Sequence, residues 1–265
     1  MCYNFIRGDE KMENVDCYIS ENGYFIATDY NIKNLVDFSE SQLSTMPEAS
    51  ESSVKIAGRD GDIVLSTTYD PIQFNIVCFT EDNLTVEQKI LEEDKVKSFL
   101  NYIKNHTIKI GIESRNVYYN VKYSGSLTVV RYPKTLRFSI PLKSSSSYGR
   151  KIPSKIITGN NSETSDTIKE VGAEFTILGP ASSPSISLND YVMEFDTDVA
   201  SGAKLIIDSS RSTVTNIDEN GRKTNQMTHY NHQFPKIQNG TNTLSILSGI
   251  GNENQVKVEW NDLTL

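Results

Sequence analysis

The residues whose types could do chemistry are few and scattered. His229-Tyr-Asn-His232 sets two imidazoles three positions apart. On a helix that spacing would let them share a metal, but no third ligand and no helical stripe lies nearby, so the plainer reading is a polar loop. Asp60-Gly-Asp62 offers two carboxylates in a turn, without the acidic ladder and distal glutamate of a calcium loop. Gly249-Ile-Gly251 lacks a third glycine and a following helix, so it reads as a turn rather than a dinucleotide loop. Neither a Gly-x-Ser-x-Gly elbow nor a phosphate-binding loop occurs, and no histidine neighbours a nucleophile in sequence. Cys2, Cys17 and Cys78 are odd in number and form no Cys-x-x-Cys pair, which argues against a disulfide framework and a zinc site. Scattered carboxylates could meet in space as a hydrolase pair, but no spacing selects one. Trp260, the single tryptophan, ends the alternation Val256, Val258, Trp260; that reads as core rather than as a platform for a sugar ring. The residues thus supply no catalytic set, no cofactor and no metal site.

Composition narrows the class further. The 265 residues carry 26 Lys and Arg against 34 Asp and Glu, a net charge of −8. Residues 1–145 and 146–265 share it equally, and no basic block exists to grip a phosphate backbone or an anionic membrane. No apolar run approaches the roughly 20 residues that span a bilayer. The opening Met-Cys-Tyr-Asn-Phe-Ile-Arg lacks the charged-then-apolar plan of a secretory leader, and the cysteines read as thiols of a reducing compartment.

The elements are mostly short strands. Cys17–Ile19 and Tyr24–Ala27 follow an apolar patch at Tyr3–Ile6. Residues 37–53 are polar and serine-rich, and read as a long loop, functional or mobile, able to serve as an arm that packs on a neighbouring subunit. Val54, Ile56, Ile63 and Leu65 stand at period two around Gly58-Arg-Asp-Gly-Asp62, which predicts a hairpin inside an antiparallel sheet. Ile72–Phe79 alternates as a half-buried strand. One helix is predicted over about 86–105. Thr85 and Gln88 have capping-box spacing, and Val96, Phe99, Leu100 and Ile103 form an apolar stripe. Ile90 and Leu91 fall off that stripe, which places the regular helix from near Glu92. Strands follow at 108–112, 117–123, 127–132 and 135–140. The serine run from Ser144 marks a boundary, giving domains 1–145 and 146–265. A tract at Asn160–Asp166 reads as flexible. The second domain has short strands at 173–178, 191–195, 203–208, 213–217, 242–247 and 255–260, the pattern of a β-sandwich.

In order and spacing these parts resemble the distal tail protein (Dit) family of siphophages, the phages with long non-contractile tails. The first half is similar through Phe5 and Gly8, Cys17-Tyr-Ile19, the Ile56–Ile63 turn, and the helix ending Phe99-Leu-Asn101. Ile108-Lys-Ile-Gly-Ile112 and Val117-Tyr-Tyr-Asn-Val121 follow, joined through Arg115-Asn116 where relatives more typically carry Pro-Asp. The second half is similar through Leu205-Ile-Ile-Asp208, Asn220-Gly221, Phe234-Pro-Lys-Ile237, Gly240-Thr-Asn242 and Leu244-Ser-Ile246.

The resemblance implies a mainly β chain. Its N-terminal domain would be a β-sandwich or split-barrel-like unit with one helix and unpaired edges for neighbours to cover. A galectin-like C-terminal β-sandwich would follow. It further implies a non-enzymatic virion protein of the tail tip, assembled in the host cytoplasm. Six copies would form a hexameric ring joining the tail tube protein to the tail-tip or baseplate hub protein, with receptor-binding proteins as further partners. DNA would pass through without specific binding, and no membrane is involved. The alternative is a carbohydrate-binding, cell-surface adhesion protein acting through the second domain, by way of Tyr230 or Trp260.

Overall fold

The computed structural model describes residues 6–7, 10–11, 15–43, 46–57 and 60–265. Cys2, Phe5, Gly8 and the Gly58-Arg59 turn lie outside the described residues. The chain divides into two compact units, residues 1–152 and 153–264.

The first unit is built on β1 (Cys17–Ile19), β2 (Tyr24–Ala27), β3 (Ile32–Val36), β4 (Ala49–Lys55), β5 (Asp62–Tyr69), β6 (Gln73–Phe79), α1 (Val86–Asn105), β7 (Ile108–Ile112), β8 (Val117–Tyr123), β9 (Thr128–Arg131), β10 (Leu136–Ser144) and β11 (Gly149–Lys151). Seven of these strands pair in the cyclic order β1-β2-β3-β6-β10-β8-β7 and back to β1, closing a barrel. Six of the pairings are antiparallel, and the closing one, Ile110 beside Cys17, is parallel. The closure pairs each barrel strand on both sides, while among the described residues β9 pairs with β10 alone and keeps one free edge, as expected from the sequence. The strands that close the ring, Cys17–Ile19 and Ile108–Ile112, are far apart in the chain, so no local pattern marks their pairing.

Alternation sends Phe74, Ile76 and Cys78 of β6, and Leu136, Phe138, Ile140 and Leu142 of β10, into one core. Strand β3 contributes Ile32, Asn34 and Val36 inward; the asparagine interrupts the apolar alternation that would have revealed the strand in sequence. Helix α1 runs its full length from Val86. Thr85 accepts from the Gln88 N–H, and Gln88 accepts from the Thr85 N–H, a complete capping box. The predicted late start near Glu92 is therefore corrected. Ile90 and Leu91 are regular helix that faces outward. The inward stripe packs Phe99 edge-on against Phe25 at 5.9 Å and Tyr30 at 5.4 Å. Burying each such ring contributes about 1.5–3 kcal/mol.

The unit boundary falls after Ile152 rather than after 145. The serine run is not a linker. Ser144 ends β10, and its Oγ accepts from the Ile72 N–H at 2.8 Å. Strand β11 then pairs with β8, which keeps the chain on the first unit for a further stretch.

The second unit carries β12 (Lys155–Thr158), β13 (Ser162–Ser165), β14 (Glu174–Leu178), β15 (Ala181–Leu188), β16 (Tyr191–Glu194), β17 (Lys204–Asp208), β18 (Thr213–Ile217), β19 (Lys223–Asn225), β20 (Gly240–Ile250) and β21 (Val256–Trp260). One six-stranded sheet has the order β12-β21-β14-β17-β18-β19, and a four-stranded sheet the order β13-β20-β15-β16. Phe175, Ile177, Leu205, Ile207 and Val258 from the first, and Ile186, Leu188, Met193 and Leu244 from the second, are fully buried. Part of the tract expected to be flexible at 160–166 is strand β13.

Candidate functional site

The hairpin at residues 49–69 is the feature of the first unit that its own fold does not use. Strands β4 and β5 pair with each other alone, as a separate two-stranded sheet, with Val54 opposite Ile63 and Lys55 opposite Asp62. Every residue of β4 is exposed. This corrects two expectations: the hairpin lies outside the domain's main sheet, and the second part of the supposed 37–53 loop is one of its strands. The reason is composition. Ala49–Ser53 and Ser66–Thr68 offer nothing to bury on either face, so the ribbon leaves the barrel.

Its apolar residues gather toward the tip. Val54, Ile56, Val64 and Leu65 are exposed, Leu65 by 64%. Leu65 sits at a register shift, where a bulge strengthens the local twist. At about 3.3 Å per residue, a seven-residue strand reaches roughly 23 Å. A lone two-stranded ribbon of this kind is marginal in water and gains stability by packing on something else.

The base, by contrast, is held. The Asp70 N–H donates to the Glu48 carbonyl at 2.9 Å. Ser147 Oγ donates to the Tyr69 carbonyl, and Tyr148 packs edge-on against Tyr69 at 6.3 Å. The serine run thus serves as a bracket for the hairpin, a role that its composition does not advertise.

A second unused surface lies on the first turns of α1. Val86 is 72% exposed, and Ile90 and Leu91 are exposed beside it. Val86 and Ile90 are four residues apart and share one face of the helix.

The residues singled out for chemistry are kept apart. His229 closes a short 3-10 turn, and its Nδ1 lies 2.8 Å from Asp196 Oδ1. His232 sits in an extended loop with positive φ and does not join it at a common ligand position. Asp60 and Asp62 are exposed at the hairpin tip. Among the described residues, no group of three or more His, Cys, Asp or Glu side chains is placed to hold a metal. Gly249 lies within β20 rather than in the expected turn. Its φ is +76°, and a Cβ there would stand 2.1 Å from the Ser182 carbonyl oxygen, so only glycine permits the close approach. Burial drives the Cys78 thiol far above its usual pKa. Burial, with the nearby Asp16 charge, does the same for Cys17. Both are inert packing residues.

Trp260 is 3% exposed, and its Nε1–H donates to Asp262 Oδ1 at 2.9 Å. That removes it as a sugar platform. Asp262 is also the acceptor for Lys155 Nζ at 2.8 Å, Ser165 Oγ at 2.5 Å and the Asp166 N–H at 3.1 Å. Burial pushes its carboxyl upward, but the Lys155 ammonium and these hydrogen bonds outweigh burial and hold it below the usual carboxylate range. Tyr230 lies buried, stacked on Phe195 with ring centres 4.7 Å apart, and its hydroxyl has no hydrogen-bond partner among the described residues. These two rings form part of the wall of an open cavity of about 590 Å³, whose rim carries Ser185, Glu194, Asp196, Thr228, His229 and Ser248.

Comparison with known proteins bears on both units. Residues 27–144 match the phage tail protein RIFT-related domain. No curated protein sequence matches the chain. Among solved structures, the chain is similar to the Dit protein of phage SPP1, described as a paradigm of the hub adsorption apparatus of phages that infect Gram-positive bacteria. The TM-score is 0.63 at 9% identity, over 88% of this chain and 94% of that one. It is also similar to a chain of the phage P2 baseplate in its activated conformation with calcium, with TM-score 0.55 and 9% identity over 88% and 91%. The strontium form of that baseplate gives 0.51 and 11% over 87% and 91%. At such identities the likeness is one of fold, and it extends across both units.

Proposed function

From a first unit that matches the phage tail protein RIFT-related domain over residues 27–144, in a chain whose fold is similar to that of the SPP1 Dit protein, we propose a structural subunit of the tail tip that closes with its copies into a hexameric ring. The ring joins the tail tube protein to the tail-tip or baseplate hub, and receptor-binding proteins attach around it. The acidic chain lines or surrounds a passage that DNA traverses without being held. The work is mechanical and calls for no cofactor. The protein belongs in the virion, at the end of the tail, after assembly in the host cytoplasm.

The observation that carries this reading is the detached hairpin with its apolar tip. Closed rings are built on heterologous contacts, so each subunit must present two different, complementary faces. The hairpin tip supplies one. The exposed Val86, Ile90 and Leu91 face of α1 is our candidate for the other. In this reading the arm that reaches a neighbour is 49–69, rather than the 37–53 segment suggested by sequence.

The test is native mass measurement with negative-stain imaging of the whole chain and of a variant in which residues 51–67 are replaced by a short Gly-Ser turn. The whole chain should give rings and the variant monomers with an unchanged barrel. Rings of equal stability from the variant, or monomers alone from the intact chain at high concentration, would refute the proposal.

A further inference from the structure

The cavity of the second unit has a chemistry that assembly does not use. Glu194 ends β16, and Asp196 follows two residues later, with buried Phe195 between them. Both residues are exposed and line the same cavity. Two carboxylates on one cavity can share a single ammonium group. No Lys or Arg is among the lining residues to neutralise the pair. Around them, the side chains of Glu194, Ser185, Thr228 and Ser248 make no hydrogen bond among the described residues. His229 engages Asp196 through Nδ1, which leaves Nε2 unengaged.

The cavity is also built rather than incidental. Ser183 on its wall holds φ +42°, a strained value for a residue with a Cβ, and its N–H donates to Asp198 Oδ1 at 3.0 Å. Phe195 and Tyr230, stacked on each other, line the wall. A volume of about 590 Å³ lies within the range of small-molecule sites, roughly 300–1,000 Å³, and exceeds what a bare cation needs.

We propose that this cavity binds an amine-bearing sugar. The ammonium sits between Glu194 and Asp196, and the ring hydroxyls exchange hydrogen bonds with Ser185, Thr228, Ser248 and His229 Nε2. The two carboxylates select the amine, and the uncharged hydrogen-bonding groups select the polyol. The proposal stands apart from ring formation, so the failure of one leaves the other intact.

Saturation-transfer NMR on the full chain tests it, because the method tolerates large assemblies. The probes are the glucosamine disaccharide, its fully N-acetylated form, and ethanolamine. We expect saturable transfer to the free-amine disaccharide and little to the acetylated one. Losing a charge-assisted hydrogen bond in Glu194→Gln should weaken binding about tenfold or more. Ser248→Phe, at an exposed position, should block the cavity while the melting temperature stays unchanged. The proposal is overturned by an absence of saturable transfer up to about 10 mM sugar, which would bound binding at weaker than about 10 mM. Equal binding of ethanolamine and the disaccharide, or undiminished binding by both variants, would overturn it as well.

Discussion

Leu65→Ala is the sharpest probe of the assembly reading, because the structure sets both its size and its control. Leu65 is 64% exposed in the isolated chain, so most of its side chain remains to be covered by a neighbour. Truncation to alanine removes three carbon groups at about 0.8 kcal/mol each when fully covered; scaled by the exposed share, about 1.5 kcal/mol per contact. That is roughly a tenfold loss in each contact constant. A closed hexamer has one contact per subunit, so the ring constant falls by about a millionfold. Because six monomers enter each ring, the concentration at half-assembly rises by the fifth root of that factor, about sixteenfold. An open dimer built on the same contact would shift only about tenfold. The assay is a dilution series followed by mass photometry or sedimentation. The monomer's melting temperature serves as the control and should not move, since the residue packs on little within its own chain. A half-assembly point within twofold of the parent would show that the hairpin tip touches no neighbour.

Three further outcomes are expected. Asp262→Ala should destabilise the second unit by about 3 kcal/mol, because it strips a buried carboxylate from Lys155, Ser165 and Trp260; urea unfolding followed by Trp260 fluorescence reads it, and an unchanged midpoint would contradict the network. Stability should fall in acid. Lys97, acting against burial and together with Arg131, holds Glu93 below its usual range, and Asp262 is lowered likewise. Carboxyls with depressed folded-state pKa values contribute stability above their unfolded values, and it is lost as pH falls through the folded ones. Urea midpoints that stay constant from pH 7 to about pH 3 would refute this. Cys17 and Cys78 should be silent to a thiol reagent in the native protein and react only on unfolding, so rapid native labelling of either, located by peptide mapping, would contradict their burial.

Legibility in sequence followed the range of the interactions involved. Thr85, Gln88 and the stripe ending at Ile103 announce α1, because a helix is a contract among residues three and four apart. The alternations in β6 and β10 were equally plain. Asn34, facing the core amid Ile32 and Val36, concealed β3. The serines and proline of Ala181–Leu188 concealed β15, a strand paired on both sides whose proline lies in a bulged stretch. The hairpin shows a different limit. Its period of two was readable, but alternation looks the same in a ribbon standing in solvent as in a half-buried sheet.

The sequence by itself determined the β-rich character, the one helix and its cap, the two-part plan, and the lack of any metal or nucleophile motif. All of these rest on composition or on neighbours within a few positions. Only the tertiary structure decided that β7 returns to lie parallel to β1 and seal the barrel, that the hairpin stands free, and that Glu194, Asp196, His229 and Ser248 rim one cavity. Each of those depends on segments far apart in the chain. Which of them meet is settled by the burial of a shared core, and no contiguous stretch of residues records it.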